Sequence, residues 1–262
     1  MLKVKGLEVV FNEGTINEKY ALQGVDLVLN KGDFASIIGS NGAGKSTLLN
    51  AITGSVEVNQ GSIVLNGKDI TYLPEYKRAN VIGRLFQDPL KGTAPHMTIE
   101  ENLGLAFHRG KRMSLGLGVR KHDRAYFKEV LKVLNLGLED RLENEVGTLS
   151  GGQRQALTLL MATLETPDLL LLDEHTAALD PKTAQQIMHI TKEIVEQFNI
   201  TTLMVTHNID HALHYGNKTI VMSNGKILKV LEGEERDHMG VQDIMKLYSD
   251  ANDTLSDRTL LG

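Results

Sequence analysis

Three short stretches hold residue types that could do phosphate chemistry. Gly39-Ser40-Asn41-Gly42-Ala43-Gly44-Lys45-Ser46 fits G-x-x-x-x-G-K-[ST] and follows the run DFASIIG, where a strand turns into a helix. Glycines let backbone N–H groups wrap a phosphate, and the helix start adds partial positive charge. Lys45 can reach the β- and γ-phosphates of a nucleotide, the Ser46 hydroxyl can ligate Mg²⁺, and Thr47 continues this phosphate-facing turn. Leu169 to Leu172 reads as a buried strand ending in two adjacent carboxylates. Asp173 is placed to hold Mg²⁺ directly or through water, and Glu174 to orient and deprotonate an attacking water, a contribution of roughly 10²- to 10⁴-fold. Leu149-Ser150-Gly151-Gly152-Gln153 opens a helix over Gly151 to Thr163 and so offers a second set of N–H groups to an anion. A γ-phosphate with its Mg²⁺ needs one such helix start, so the second is best explained by a nucleotide held by another subunit.

Positioning these groups requires a scaffold of strands alternating with helices. LKVKGLEVVF, GVDLVLN and DFASIIG read as strands, with a polar loop from Asn12 to Tyr20. A helix from Gly44 or Lys45 carries Leu48, Leu49 and Ile52 on one face and stops near Gly54. Ser62 to Leu65 is a strand with a turn at Asn66-Gly67, and Val81 to Phe86 another. From Asp88 to about Ser150 the patterns are helical, as in an inserted subdomain. Then come the strand at Leu169, a helix from Pro181 to Phe198, a strand from Thr201 to Thr206, a short helix from His207 to Tyr215, and a hairpin around Asn224-Gly225. This order predicts a mainly parallel sheet with antiparallel additions in the N-terminal part.

Composition narrows the function. With 262 residues, 41% hydrophobic and 23% charged, the chain has the make-up of a globular protein with a large core. Its formal net charge of −5 argues against a dedicated nucleic-acid binder, so no nucleic-acid partner is expected. The absence of Cys excludes disulfides, thiolate metal sites and a cysteine nucleophile. MLKVKGLEVV alternates like a strand and lacks the apolar segment of a secretory signal, and no apolar run approaches membrane-spanning length. A cytoplasmic protein is expected, with any membrane role exerted through a partner.

Given Leu149 to Gln153 just ahead of the Asp173-Glu174 strand, the chain resembles the nucleotide-binding subunit of an ATP-binding cassette (ABC) transporter over nearly its whole length. The resemblance implies an α/β fold: a P-loop NTPase (RecA-like) core with an N-terminal antiparallel β-subdomain and an inserted α-helical subdomain. The single domain would divide into core over residues 1–87 and 157–231, helical subdomain with the signature motif over 88–156, and a tail over 232–262. It implies Gln87 in LFQDP as a glutamine joining Mg²⁺ sensing to the helical subdomain, Ala178-Leu179-Asp180 as a loop at the dimer interface, and His207 as a hydrogen-bond donor to the γ-phosphate. Taken alone, Gln87 could be a strand-end polar residue and His207 a helix N-cap. Phe11 could stack on adenine or belong to the core, with Tyr20 as its rival. Two departures stand out: His175 follows Glu174 where many relatives have Pro, and Ala178 stands where Ser is frequent.

The resemblance further implies a head-to-tail homodimer around two ATP, each between one subunit's Gly39–Ser46 loop and the other's Ser150–Gln153. It implies an integral-membrane permease, an extracytoplasmic solute-binding protein and a peripheral location on the inner face of the membrane. Import of a small solute is the leading expectation, with aromatic amino acids as the candidate class. A permease-free cytosolic ATPase and a split exporter remain alternatives. The basic run His108 to Arg124 fits a solvated loop, a permease face or lipid headgroups, and the tail carries a short apolar pattern at Val241, Ile244, Met245 and Tyr248.

Overall fold

Two sheets organise the protein, a computed structural model of which describes residues 1–110, 119 and 121–250. The first is antiparallel: β1 (Leu2–Phe11), β2 (Lys19–Leu29), β4 (Gln60–Leu65) and β5 (Lys68–Asp69), in the order β2-β1-β4-β5. Residues of β1 alternate between buried and more exposed, as a strand covering a core on one face must. The second holds β3 (Phe34–Ile38), β6 (Ile82–Leu85), β7 (Leu169–Asp173), β8 (Thr201–Val205), β9 (Lys218–Ser223) and β10 (Lys226–Glu232), in the order β10-β9-β3-β8-β7-β6. All its pairings are parallel except that of β10 with β9. Both faces of this central sheet are covered. Leu169 and Leu171 join one core cluster with the antiparallel sheet, while Leu170 and Leu172 join the other. That is why β7 reads as an unbroken apolar run.

Helix α1 (Lys45–Thr53) lies in the first cluster. It ends at Gly54 in the left-handed region, and its last carbonyls are taken up from outside: the Arg78 guanidinium, from α2 (Glu75–Arg78), donates to Ala51 O at 2.8 Å and Ile52 O at 2.9 Å. The second cluster holds side chains of α3 (Ile99–Phe107), α4 (Lys121–Lys132), α5 (Gly151–Thr163) and α6 (Pro181–Phe198). Helix α5 runs unbroken past residue 157, so the helical region and the core share one helix. Helix α6 spans Pro181 to Phe198 as expected, with Pro181 in the first turn; Asp180 is its N-cap and Asn199 is left-handed at its end.

Strands β4 and β6 end within two residues of expectation, and two other boundaries bear on the site. Strand β2 begins at Lys19, not Gly24, because pairing of Phe11 with Lys19 and Val10 with Tyr20 extends the hairpin into the polar stretch. The short helix α7 spans Ile209–His214, and its N-cap is Asn208, whose Oδ1 accepts the His211 N–H at 2.9 Å, so His207 lies outside it. The tail forms α8 (Gly233–Asp237) and α9 (Val241–Asp250), with Ile244 and Tyr248 buried against Ile209 and Ala212 of α7 and against Ile38, Val221 and Leu231. Within the basic run, residues 111–118 and 120 lie outside the described residues.

Candidate functional site

The loop Gly39–Ser46 joins β3 to α1 along the C-terminal edge of the parallel strands, where ligands of open α/β sheets bind. Gly44 has φ +98°, and a Cβ there would come within 2.7 Å of Ala21 O. At Gly39 a Cβ would come within 2.5 Å of Met222 O. The loop thus threads between β2 and the β9–β10 hairpin where only hydrogen fits, and this curls its backbone into a cradle. Lys45 is buried, with its ammonium donating to Gly39 O at 2.7 Å and Ser40 O at 3.0 Å. Residues Asn41 to Thr47 line a cleft of about 170 Å³ together with Phe11, Lys19, Ala21 and Glu174.

Glu174 follows the end of β7 and has φ +48°, a left-handed conformation that costs a residue bearing a Cβ free energy unless its surroundings hold it there. Its N–H donates to Val205 O at 3.1 Å, and its Oε1 lies 2.6 Å from His207 Nε2. The hydrogen bond from His207, and the nearby positive charge of Lys45, hold the Glu174 carboxyl below the usual carboxylate range although burial opposes them. His207 Nδ1 is buried with no protein partner among the described residues. The Nε2 contact leaves Glu174 ionised, as an acceptor for a proton must be.

Asp173 carries a different partner: Arg84 Nη2 lies 3.2 Å from its Oδ2, and both side chains are largely buried. Asp173, Gln87 and Ala178 line a neighbouring cleft of about 670 Å³. The donors available to a metal are the Ser46 hydroxyl, the Gln87 amide oxygen and the Asp173 carboxylate, a hard all-oxygen set. No cluster of three or more His, Asp or Glu at ligating spacing occurs among the described residues. Such a sparse set suits Mg²⁺, which keeps several waters and is completed by substrate phosphates, better than a metal held in a protein cage.

Not every residue singled out by sequence meets at this cleft. Phe11 lines it, whereas Tyr20 is exposed and hydrogen-bonded to Glu18. Ser150, Gly151, Gly152 and Gln153 are at the start of α5 and do not line it. Their side chains cap their own helix: Ser150 Oγ accepts the Gln153 N–H at 3.2 Å and Gln153 Oε1 accepts the Ser150 N–H at 3.2 Å. A side chain at Gly152 would collide with Thr183, so the helix start packs closely on α6. Asp180 Oδ1 accepts the Thr183 N–H at 3.1 Å, which caps α6. His175 is buried with Nε2 3.3 Å from Thr191 Oγ1, and burial drives its pKa down to about 4. Sequence reasoning missed Arg84, Lys19 and the Ser-x-x-Gln capping box; only the last had a local signature that could have been read.

The profile of the ABC transporter family matches residues 22–177. A tyrosine transport ATP-binding protein of Clostridioides difficile is 43% identical over 248 residues, 95% of this chain and 98% of the relative. A thiamine import ATP-binding protein of Photobacterium profundum is 35% identical over 83% of this chain and 87% of its own length. A sulfate/thiosulfate import ATP-binding protein of Synechocystis is 36% identical, but this chain spans only 57% of it. Among solved structures, an ATP-binding cassette captured as a dimer in a post-hydrolysis state with ADP and phosphate superposes with a TM-score of 0.76 at 30% identity, covering 88% of this chain and 98% of that one. Phosphate loop, carboxylate pair and these likenesses agree, and the chain belongs to the ABC transporter family as an ATP-binding, ATP-hydrolysing subunit.

Proposed function

We propose that the chain powers import of a small solute of the aromatic amino acid class through a separate membrane permease, and that an extracytoplasmic binding protein delivers the solute. No helix among the described residues is long and apolar enough to cross a membrane, which accords with a path supplied by a separate permease. The solute class rests on the 43% identity, over nearly the full length of both chains, with the tyrosine transport ATP-binding protein.

The chemistry follows from this chain's own groups, and the observation that carries it is the Glu174–His207 contact beside the phosphate loop. The loop N–H groups, from Gly39 through Thr47, and the Lys45 ammonium bind the phosphates; Phe11 stacks against the adenine. Glu174 accepts the proton of the attacking water, and His207 orients Glu174 and reaches the γ-phosphate. Ser46, Gln87 and Asp173 would hold Mg²⁺, which when bound offsets charge on the phosphate oxygens. Ser150 to Gln153, remote from their own cleft, close on the nucleotide of a second copy, with Asp180 at that interface. ATP binding then favours the closed dimer because the γ-phosphate is held from both sides only there.

Pull-down of the tagged chain from native membranes in detergent, followed by mass spectrometry, tests the transport reading. A multi-span permease with a solute-binding protein that takes up tyrosine or another aromatic amino acid is expected. Recovery with soluble partners alone would void the permease assignment, and a binding protein selective for a different solute would void the substrate class.

A further inference from the structure

Arg84 is on β6, three residues before Gln87, and nothing in the phosphate or signature motifs points to it. Its guanidinium nevertheless joins three parts of the site. Nη2 donates to Asn50 Oδ1 at 2.7 Å and lies 3.2 Å from Asp173 Oδ2, Nη1 is 3.4 Å from Thr53 Oγ1, and Cζ sits 4.6 Å from the centre of the Phe86 ring. Asn50 and Thr53 belong to α1, the helix that starts in the phosphate loop. Asp173 ends β7, and Phe86 directly precedes Gln87. Only 12% of the Arg84 side chain and 15% of that of Asp173 is exposed, so the pair is shielded from water. Arg84 also lines both the cleft of Asp173 and Gln87 and a second groove, of about 550 Å³, toward the helical region.

We propose that Arg84 is a positioning residue of the ATPase: by engaging one carboxylate oxygen of Asp173 it sets the orientation of the metal-holding group, and it ties that group to α1 and to the strand leading into Gln87. A planar guanidinium can serve Asn50, Asp173 and the Phe86 face at once, which an ammonium cannot. The same positive charge opposes a divalent cation at Asp173, so Arg84 also keeps the metal's affinity in check. The inference rests on the reading of Asp173 as a metal-holding carboxylate.

The test uses the purified full chain and Mn²⁺ as a paramagnetic probe in the presence of ADP, read by electron paramagnetic resonance, alongside steady-state ATPase. Loss of Mn²⁺ binding in Asp173→Ala tests the metal reading by itself; unchanged binding there would overturn that reading whatever Arg84 does. For Arg84→Met, Mn²⁺ is expected to bind at least about threefold more tightly, since a cation next to the carboxylate has gone. Its kcat is expected to fall about tenfold, with KM for ATP and ADP affinity in chelator unchanged, because small displacements at a reacting centre are costly. Arg84→Lys keeps the charge and loses the fork, so its Mn²⁺ affinity should match wild type while kcat still falls. If Arg84→Met fails to fold because Asp173 is left without a partner, Arg84→Lys decides: a wild-type kcat overturns the proposal. It is equally overturned by an unmoved Mn²⁺ affinity in a folded Arg84→Met, or by a loss of metal-free ADP binding as large as the loss of kcat.

Discussion

His207 Nε2 lies 2.6 Å from Glu174 Oε1, and the two residues meet because Asp173 of β7 pairs with Val205 of β8 in parallel register. Each strand therefore delivers one member of the pair just beyond its C-terminal end. Glu174→Gln should keep shape and most contacts but lose the proton acceptor. ATP hydrolysis is expected to drop by at least about 100-fold, the scale of general-base catalysis, while ATP-driven dimerisation persists. Light scattering with ATP checks this; monomers at saturating ATP would contradict it.

Lys45 holds its own loop through Gly39 O and Ser40 O, so Lys45→Ala removes a brace and, on the proposed function, a phosphate ligand as well. Charge-assisted hydrogen bonds are worth about 1.5–3 kcal/mol, which corresponds to a loss of ATP affinity of roughly 10- to 100-fold. Calorimetric titration with ATP measures it directly, and an affinity equal to wild type would refute the assignment.

Gly44→Ala places a methyl group within 2.7 Å of Ala21 O at a backbone with φ +98°. A strained left-handed residue costs about 1–3 kcal/mol, so the melting midpoint should fall and ATP binding weaken together. Gly137→Ala is the control, since it also has positive φ but meets nothing within 4 Å; it should lower stability by less and leave ATP binding as it was.

The His175 imidazole, buried and with its pKa lowered to about 4, is neutral in the folded chain across the range where the unfolded chain takes up a proton. The unfolded state then binds more protons between pH 6.5 and about 4, so stability falls as pH is lowered through that window. The full contribution is on the order of 3 kcal/mol. In His175→Gln, denaturant unfolding from pH 7 to pH 4 should show a correspondingly shallower loss; an unchanged slope would show that His175 does not set it.

Ile244 of the tail helix is fully buried against α7, the helix that begins two residues after His207. Truncation of such a side chain costs about 2–5 kcal/mol, so Ile244→Ala should lower the denaturation midpoint markedly. Stability equal to wild type would mean that α9 does not pack there in solution.

What the residues alone revealed is what can be built from contiguous chain. A phosphate cradle is a local device, made of glycines at a strand-to-helix turn, and Gly39 to Ser46 spell it out. The same holds for the helix from Pro181 and for the turn at Asn224-Gly225. The apolar run of β7 announces a strand covered on both faces because only such a strand needs no polar side. Pairings between distant segments had no such signature. Arg84 and Asp173 are 89 positions apart, and nothing near Arg84 in sequence points to Asp173; β6 pairs Arg84 with Leu171, and Asp173, two residues further along β7 on the same face, comes within reach of its guanidinium. That Phe11 and not Tyr20 lines the phosphate-loop cleft likewise depends on hairpin register, since each one-residue step along a strand sends the side chain to the opposite face. The tail was visible only as four apolar residues, and its seat on α7 came from the core cluster those residues complete. Local propensity sets which segments can turn, curl or extend; burial of the shared core decides which of them end up adjacent, and with that which side chains meet the nucleotide.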